Sequence, residues 1–98
     1  MCGIFALLNQ LGNNGSVKYI EDDFMKGQHR GPEFSVYKNV MIKTAFGFHR
    51  LAINGLNDES HQPIYIDNIS LICNGEIYNY KELYKLMDIE PETDSDCE

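Results

Sequence analysis

Apolar residues along this chain fall into short runs whose spacing changes, and each change marks an element. Residues 2–9 form a nearly continuous apolar run. It ends at Asn9-Gln10-Leu11-Gly12-Asn13-Asn14-Gly15, where glycines and asparagines signal turns, so a core strand followed by a loop is predicted. Ser16 stands where an N-cap would, with Glu21, Asp22 and Asp23 close behind it. Val17, Ile20, Phe24 and Met25 recur at helical spacing, which predicts a helix whose apolar stripe packs on the sheet and which stops near Gly27. The next segment, Gln28-His29-Arg30-Gly31-Pro32-Glu33, is punctuated by glycine and proline and reads as irregular.

From Val40 to Arg50 the pattern alternates. Val40, Ile42, Thr44, Phe46 and Phe48 share one face of a predicted strand, and Met41, Lys43, Ala45, Gly47 and His49 share the other. Arg50 falls on the apolar face. A guanidinium at the buried end of a strand requires an anion, and its planar fork suits a carboxylate, either a structural Asp or Glu or one carried by a ligand. His49 points the opposite way and reads as a packed or exposed histidine. After a polar loop closed by Pro63, Ile64–Ile66 and Ile69–Cys73 read as a hairpin turning at Asp67-Asn68. The second strand runs directly into Asn74-Gly75-Glu76. An asparagine followed by glycine at a strand end sets a side-chain amide beside an accessible backbone N–H, which is either an ordinary turn or a pair of oxyanion donors.

Asn79 and Glu82 are spaced as a capping box, and Tyr80, Leu83, Tyr84 and Met87 supply the stripe of a short helix that should end before Pro91. Ser95 and Glu98 repeat the capping spacing, announcing a helix whose body is not in the chain, so the sequence is expected to be a fragment or a truncated product.

Ninety-eight residues allow one small domain, and 43% hydrophobic with 23% charged residues is ordinary for a globular protein. A formal charge of −7 argues against nucleic acid or an anionic membrane as the main partner. Three widely spaced cysteines, Cys2, Cys73 and Cys97, fit neither a disulfide framework nor a zinc site, which favours a reducing cytoplasm. The apolar run at the start is too short to span a bilayer and lacks the basic flank of a signal peptide.

Position two carries the most chemistry. Once Met1 is trimmed, Cys2 holds a thiol and a free α-amine on one residue, and an amine with pKa about 8 exchanges a proton with a thiol near neutral pH. That is a nucleophile with its own base. The structural alternative is a cysteine that simply begins a buried strand.

Four segments, Cys2-Gly3-Ile4-Phe5, His29-Arg30-Gly31-Pro32, Gly47-Phe48-His49-Arg50-Leu51-Ala52-Ile53 and Asn74-Gly75-Glu76-Ile77-Tyr78-Asn79, resemble in order the glutaminase domain of glutamine-hydrolysing asparagine synthetase, a class II glutamine amidotransferase. Ser95-Asp96-Cys97-Glu98 resembles the segment that follows, so the resemblance covers the whole chain. It implies an α+β N-terminal-nucleophile (Ntn) hydrolase fold, a four-layer αββα sandwich of antiparallel sheets, of which residues 1–98 would be the first part. It also implies L-glutamine as substrate, Cys2 as nucleophile, and Asn74 and Gly75 as oxyanion donors. By the same resemblance Arg50 clamps the substrate carboxylate, the backbone of Leu51, Ala52, Ile53 and Asn54 lines the pocket, and Glu76 and Asp96 hold the α-ammonium group. No metal or cofactor is implied for these residues. ATP and magnesium belong to the family's synthetase domain, which receives the ammonia and lies beyond Glu98, and the full-length family forms homodimers. The family's usual aspartate is Glu33 here. Two other readings stay open: a truncated relic that binds glutamine or a partner without turnover, and the glutaminase domain of another class II amidotransferase.

Overall fold

The computed structural model describes residues 2–9, 17–51 and 58–98. The Ser16 cap, most of the first loop, and Ala52, Ile53 and Asn54 lie outside the described residues. The fold mixes helices with antiparallel sheets: β1 (Gly3–Leu7), α1 (Val17–Met25), β2 (Phe34–Met41), β3 (Thr44–Arg50), β4 (Ile64–Ile66), β5 (Ile69–Leu71) and α2 (Tyr80–Met87). One sheet has the order β1-β3-β2, and β4 and β5 form a separate hairpin.

Central β3 is flanked on both sides, with Gly3 opposite His49 and Ser35 opposite the same residue, and Phe5 and Tyr37 both opposite Gly47. This register sorts the sheet into two faces. One carries Phe5, Gly47, Tyr37 and His49 and receives α1 through Phe24, which is 5% exposed. Phe24 meets Phe5 edge-on at 5.8 Å and stacks on His49 at 4.1 Å. Gly47 makes that approach possible, since a Cβ there would stand 2.5 Å from the Phe24 ring. His49, 2% exposed, has both ring nitrogens engaged, Nε2 with the Phe24 carbonyl at 2.8 Å and Nδ1 with the Ser35 hydroxyl at 2.7 Å. It is a packed histidine. The stripe of α1 is narrower than its spacing predicts, because Met25 remains exposed.

The single strand predicted over Val40–Arg50 is two strands. β2 ends at Met41, Ile42-Lys43 turns the chain, and β3 starts at Thr44, which pairs with Met41. An irregularity between Asn39 and Met41 shifts the register as well, so Val40 and Ile42 do not continue the face of Phe46 and Phe48, and Ile42 projects into solvent. The Asp67-Asn68 hairpin forms, with Asp67 at φ 52 taking the left-handed conformation a tight turn demands, but its second strand stops at Leu71 rather than Cys73 because Ile64, where the first strand begins, is its last partner.

Helix α2 starts after Asn79 and ends at Asp88, which adopts φ 55 as its amide bonds the Lys85 carbonyl at 3.3 Å. The Asn79 side chain makes no capping bond, so that capping box is not formed. The second is half formed: Ser95 Oγ accepts the Cys97 amide at 3.2 Å as an N-cap does, but the Glu98 carboxylate accepts from the Glu92 and Thr93 amides at 2.9 and 2.8 Å, while the Ser95 amide donates to Thr93 Oγ1 at 3.1 Å. Burial would raise the Glu98 pKa, but those two amides and the Thr93 hydroxyl outweigh it and hold the carboxyl below its ordinary value. Among the described residues no helix is long and apolar enough to cross a membrane.

Candidate active site

The second face of the three-stranded sheet carries Phe48 and Arg50. One step beyond the Gly3–His49 pair, the same antiparallel register brings Cys2 beside Arg50. The Cys2 thiol sits against the next peptide of β3's extension, accepting from the Leu51 N–H and donating to the Leu51 carbonyl, both at 3.3 Å. Arg50 is 5% exposed at this buried strand end.

A second group of residues arrives from the β4–β5 hairpin. Beyond β5 the chain leaves the ladder, and two side chains replace the lost backbone partners. Gln62 Oε1 accepts the Cys73 N–H at 2.6 Å, and Asp96 Oδ2 accepts the Ile77 N–H at 2.6 Å. The Asn74-Gly75-Glu76 turn is therefore held at both ends. A Cβ built on Gly75 would meet nothing within 4 Å, so the fold does not demand glycine there, and its absence of a side chain leaves the backbone open to a close approach.

These two groups face one cavity of about 250 Å³. Cys2, Arg50, Asn74, Gly75, Glu76 and Asp96 all line it, together with Leu51. Ala52, Ile53 and Asn54 are outside the described residues. His29 and Arg30, on a short 3-10 turn at Gln28–Arg30, are exposed and do not line it. The cavity also takes in Ser60, Gln62, Cys73, Tyr78, Ser95 and Cys97. Tyr78 belongs to a motif already singled out, but nothing in the periodicity marks Gln62, a lone amide before a proline. The Cys73 and Cys97 sulfurs lie 2.7 Å apart as free thiols. Burial, reinforced by the Cys73 contact and the nearby Asp96 carboxylate, pushes the Cys97 thiol up to about 12. Among the described residues no group of three or more His, Cys, Asp or Glu side chains gathers as a metal site.

The arrangement combines a thiol, a buried guanidinium, a turn offering an amide side chain beside an open backbone N–H, and two carboxylates. The family model of the glutamine amidotransferase domain matches residues 1–98. The chain is 35% identical over 102 residues to a probable glutamine-hydrolysing asparagine synthetase of Acanthamoeba polyphaga mimivirus, covering 100% of the chain and 18% of that protein. It is 38% identical over 105 residues to the glutamine-hydrolysing asparagine synthetase of Bos taurus, again 100% of the chain and 18% of the relative. A putative asparagine synthetase of Methanocaldococcus jannaschii is 32% identical over 117 residues, covering 100% of the chain and 22% of the relative. The chain thus spans about a fifth of the length of the curated relatives it matches. With the whole chain matched, it belongs to the glutamine amidotransferase domain family and is related to the glutamine-hydrolysing asparagine synthetases.

Proposed function

We propose that the cavity hydrolyses glutamine and that the ammonia released is used to make asparagine. The observation that carries this reading is the convergence of Cys2, Arg50, Asn74, Gly75, Glu76 and Asp96 on one cavity of about 250 Å³. That is below the roughly 300–1,000 Å³ of sites for drug-sized ligands and on the scale of a single amino acid.

With Met1 removed, the Cys2 amine takes the thiol proton and the thiolate attacks the glutamine side-chain amide carbon. Asn74 Nδ2 and the Gly75 N–H stabilise the resulting oxyanion. Collapse breaks the C–N bond, the amine returns the proton, and ammonia leaves. Water then attacks the γ-glutamyl thioester, its proton passing to the amine, and glutamate departs as the sulfur is freed. Arg50 binds the substrate α-carboxylate, and Glu76 and Asp96 bind its α-ammonium group. Asp96 can do this while fixing the turn, because the Ile77 amide uses Oδ2 and Oδ1, which accepts only a long 4.0 Å contact from the Cys97 thiol, keeps a lone pair for the ammonium group. Leu51 completes the described part of the pocket. On this reading residues 1–98 are the first part of a four-layer Ntn-hydrolase sandwich, and the ammonia acceptor, aspartate activated with ATP and magnesium, belongs to a synthetase domain outside these residues.

Labelling with a glutamine analogue that carries an electrophile at its side-chain carbonyl position tests the reading. The expected result is one adduct on Cys2, only in protein whose Met1 has been removed, and protection by glutamine. No adduct on a verified Cys2 N-terminus overturns the hydrolytic reading and favours a glutamine-binding relic.

A further inference from the structure

Two of the three cysteines have no part in that chemistry, yet they stand at the base of the turn on which it depends. Cys73 directly precedes Asn74, and Cys97 directly follows Asp96. Their sulfurs are 2.7 Å apart, against roughly 2.0 Å in a disulfide. Asp96 already holds Ile77, so residues 73 and 77 at the two ends of the turn are tied to the adjacent pair Asp96-Cys97. Both thiols line the cavity, Cys73 half-buried and Cys97 buried, which admits a small oxidant.

We propose that Cys73 and Cys97 form a reversible disulfide that displaces the Asn74–Glu76 turn and lowers turnover at the cavity. The bond itself stands on the geometry of the two thiols. Its effect on hydrolysis rests on the reading of the cavity as a glutaminase site.

The oxidant is a peroxide. The half-buried Cys73 sulfur attacks one peroxide oxygen; an S–O bond forms, the O–O bond breaks, and the thiol proton leaves with hydroxide as water. The Cys97 sulfur then attacks the Cys73 sulfur. The S–S bond forms, the S–O bond breaks, and the Cys97 proton leaves in a second water. The two sulfurs lose two electrons and the peroxide gains them. Burial disfavours the Cys97 thiolate, which leaves the first attack on peroxide to the more exposed Cys73 and makes the second step the slower one. Drawing the sulfurs together by roughly 0.7 Å shifts the residue beside Asn74, and misplacement on that scale costs about tenfold or more in rate.

The test treats the full-length protein from its own gene with hydrogen peroxide, alkylates the remaining thiols, and digests without reductant. Three results are expected: a peptide pair joining Cys73 to Cys97 that dithiothreitol removes, altered amide hydrogen exchange at Gly75–Ile77, and an about tenfold loss of glutaminase rate that dithiothreitol restores. In Cys97→Ser, and in Cys73→Ser should the first fold poorly, the ratio of treated to untreated rate should stay near one during the same exposure. Alkylation of both cysteines after treatment overturns the proposal. So does a linkage that leaves exchange unchanged, or an equal loss of rate in wild type and variants, which places the damage at Cys2. Should the linkage and the exchange change appear in a protein that hydrolyses no glutamine in either state, the switch stands and the glutaminase reading falls.

Discussion

His49 and Arg50 are neighbours on β3 with opposite fates, because successive side chains on a strand point to opposite faces. His49 is turned under α1, where the Phe24 carbonyl and the Ser35 hydroxyl satisfy both nitrogens, and Arg50 is turned toward Cys2 and the cavity. The value of Arg50 could be read from its position on an apolar face, which demands an anion. The contact between Cys73 and Cys97 could not, since nothing in a separation of 24 residues shows that two thiols meet. The sharpest prediction at this scale concerns Asn74. If its side chain stabilises only the oxyanion, Asn74→Ala lowers kcat about a hundred- to a thousandfold while KM changes by no more than a few fold. Steady-state kinetics decide it, and equal losses in kcat and in glutamine affinity would remove Asn74 from the transition state.

The elements whose borders carry glycine, proline or a special backbone angle are the ones the pattern locates. Helix α1 stops at Met25 before Gly27, α2 stops before Pro91, and the β4–β5 hairpin turns at Asp67-Asn68. The Ile42-Lys43 turn carries no such residue, and it lies within a run that happens to keep alternating, so β2 and the start of β3 merge into one apparent strand. The two capping boxes stay incomplete for a different reason. Their spacing states what Glu82 and Glu98 can reach locally, but in the fold Glu98 has better partners in the Glu92 and Thr93 amides. Helix α1 is seated through Phe24, and a methyl group at Gly47 would collide with the Phe24 ring at 2.5 Å. Gly47→Ala should therefore destabilise the protein by about 1–3 kcal/mol. Gly75→Ala, with open space around its Cβ, should leave the melting temperature within experimental scatter. Equal melting temperatures for Gly47→Ala and wild type would mean that α1 does not pack against β3 at this point.

At the scale of the molecule, the chain exposes more surface than its mass requires. Its 7062 Å² exceeds the roughly 5,700 Å² expected of a folded protein of 11.2 kDa. Its radius of gyration of 14.8 Å exceeds the roughly 13 Å of a compact domain this long. Large apolar side chains are exposed on particular elements. Ile4 and Leu8 are exposed on and beyond β1, Tyr65, Ile66, Ile69 and Leu71 on the hairpin, and Leu83, Leu86 and Met87 on α2. Surfaces of this kind recruit cover. Residues 1–98 expressed alone are expected to self-associate as concentration rises and to bind a hydrophobic dye. Sedimentation showing a dye-free monomer across that range would contradict the exposed faces described here.

The sequence by itself determined the order and kind of most elements, the chemical types available for catalysis and the family, because periodicity, turn residues and contiguous motifs are local properties. Only the tertiary structure decided that Cys2, Arg50 and the Asn74-Gly75 turn share a cavity, that Asp96 and Gln62 brace that turn, and that two remote thiols touch at its base. Those relations depend on strand register and on how the hairpin lies against the sheet. Both are set by side chains packing across many residues of separation, which a linear pattern does not record.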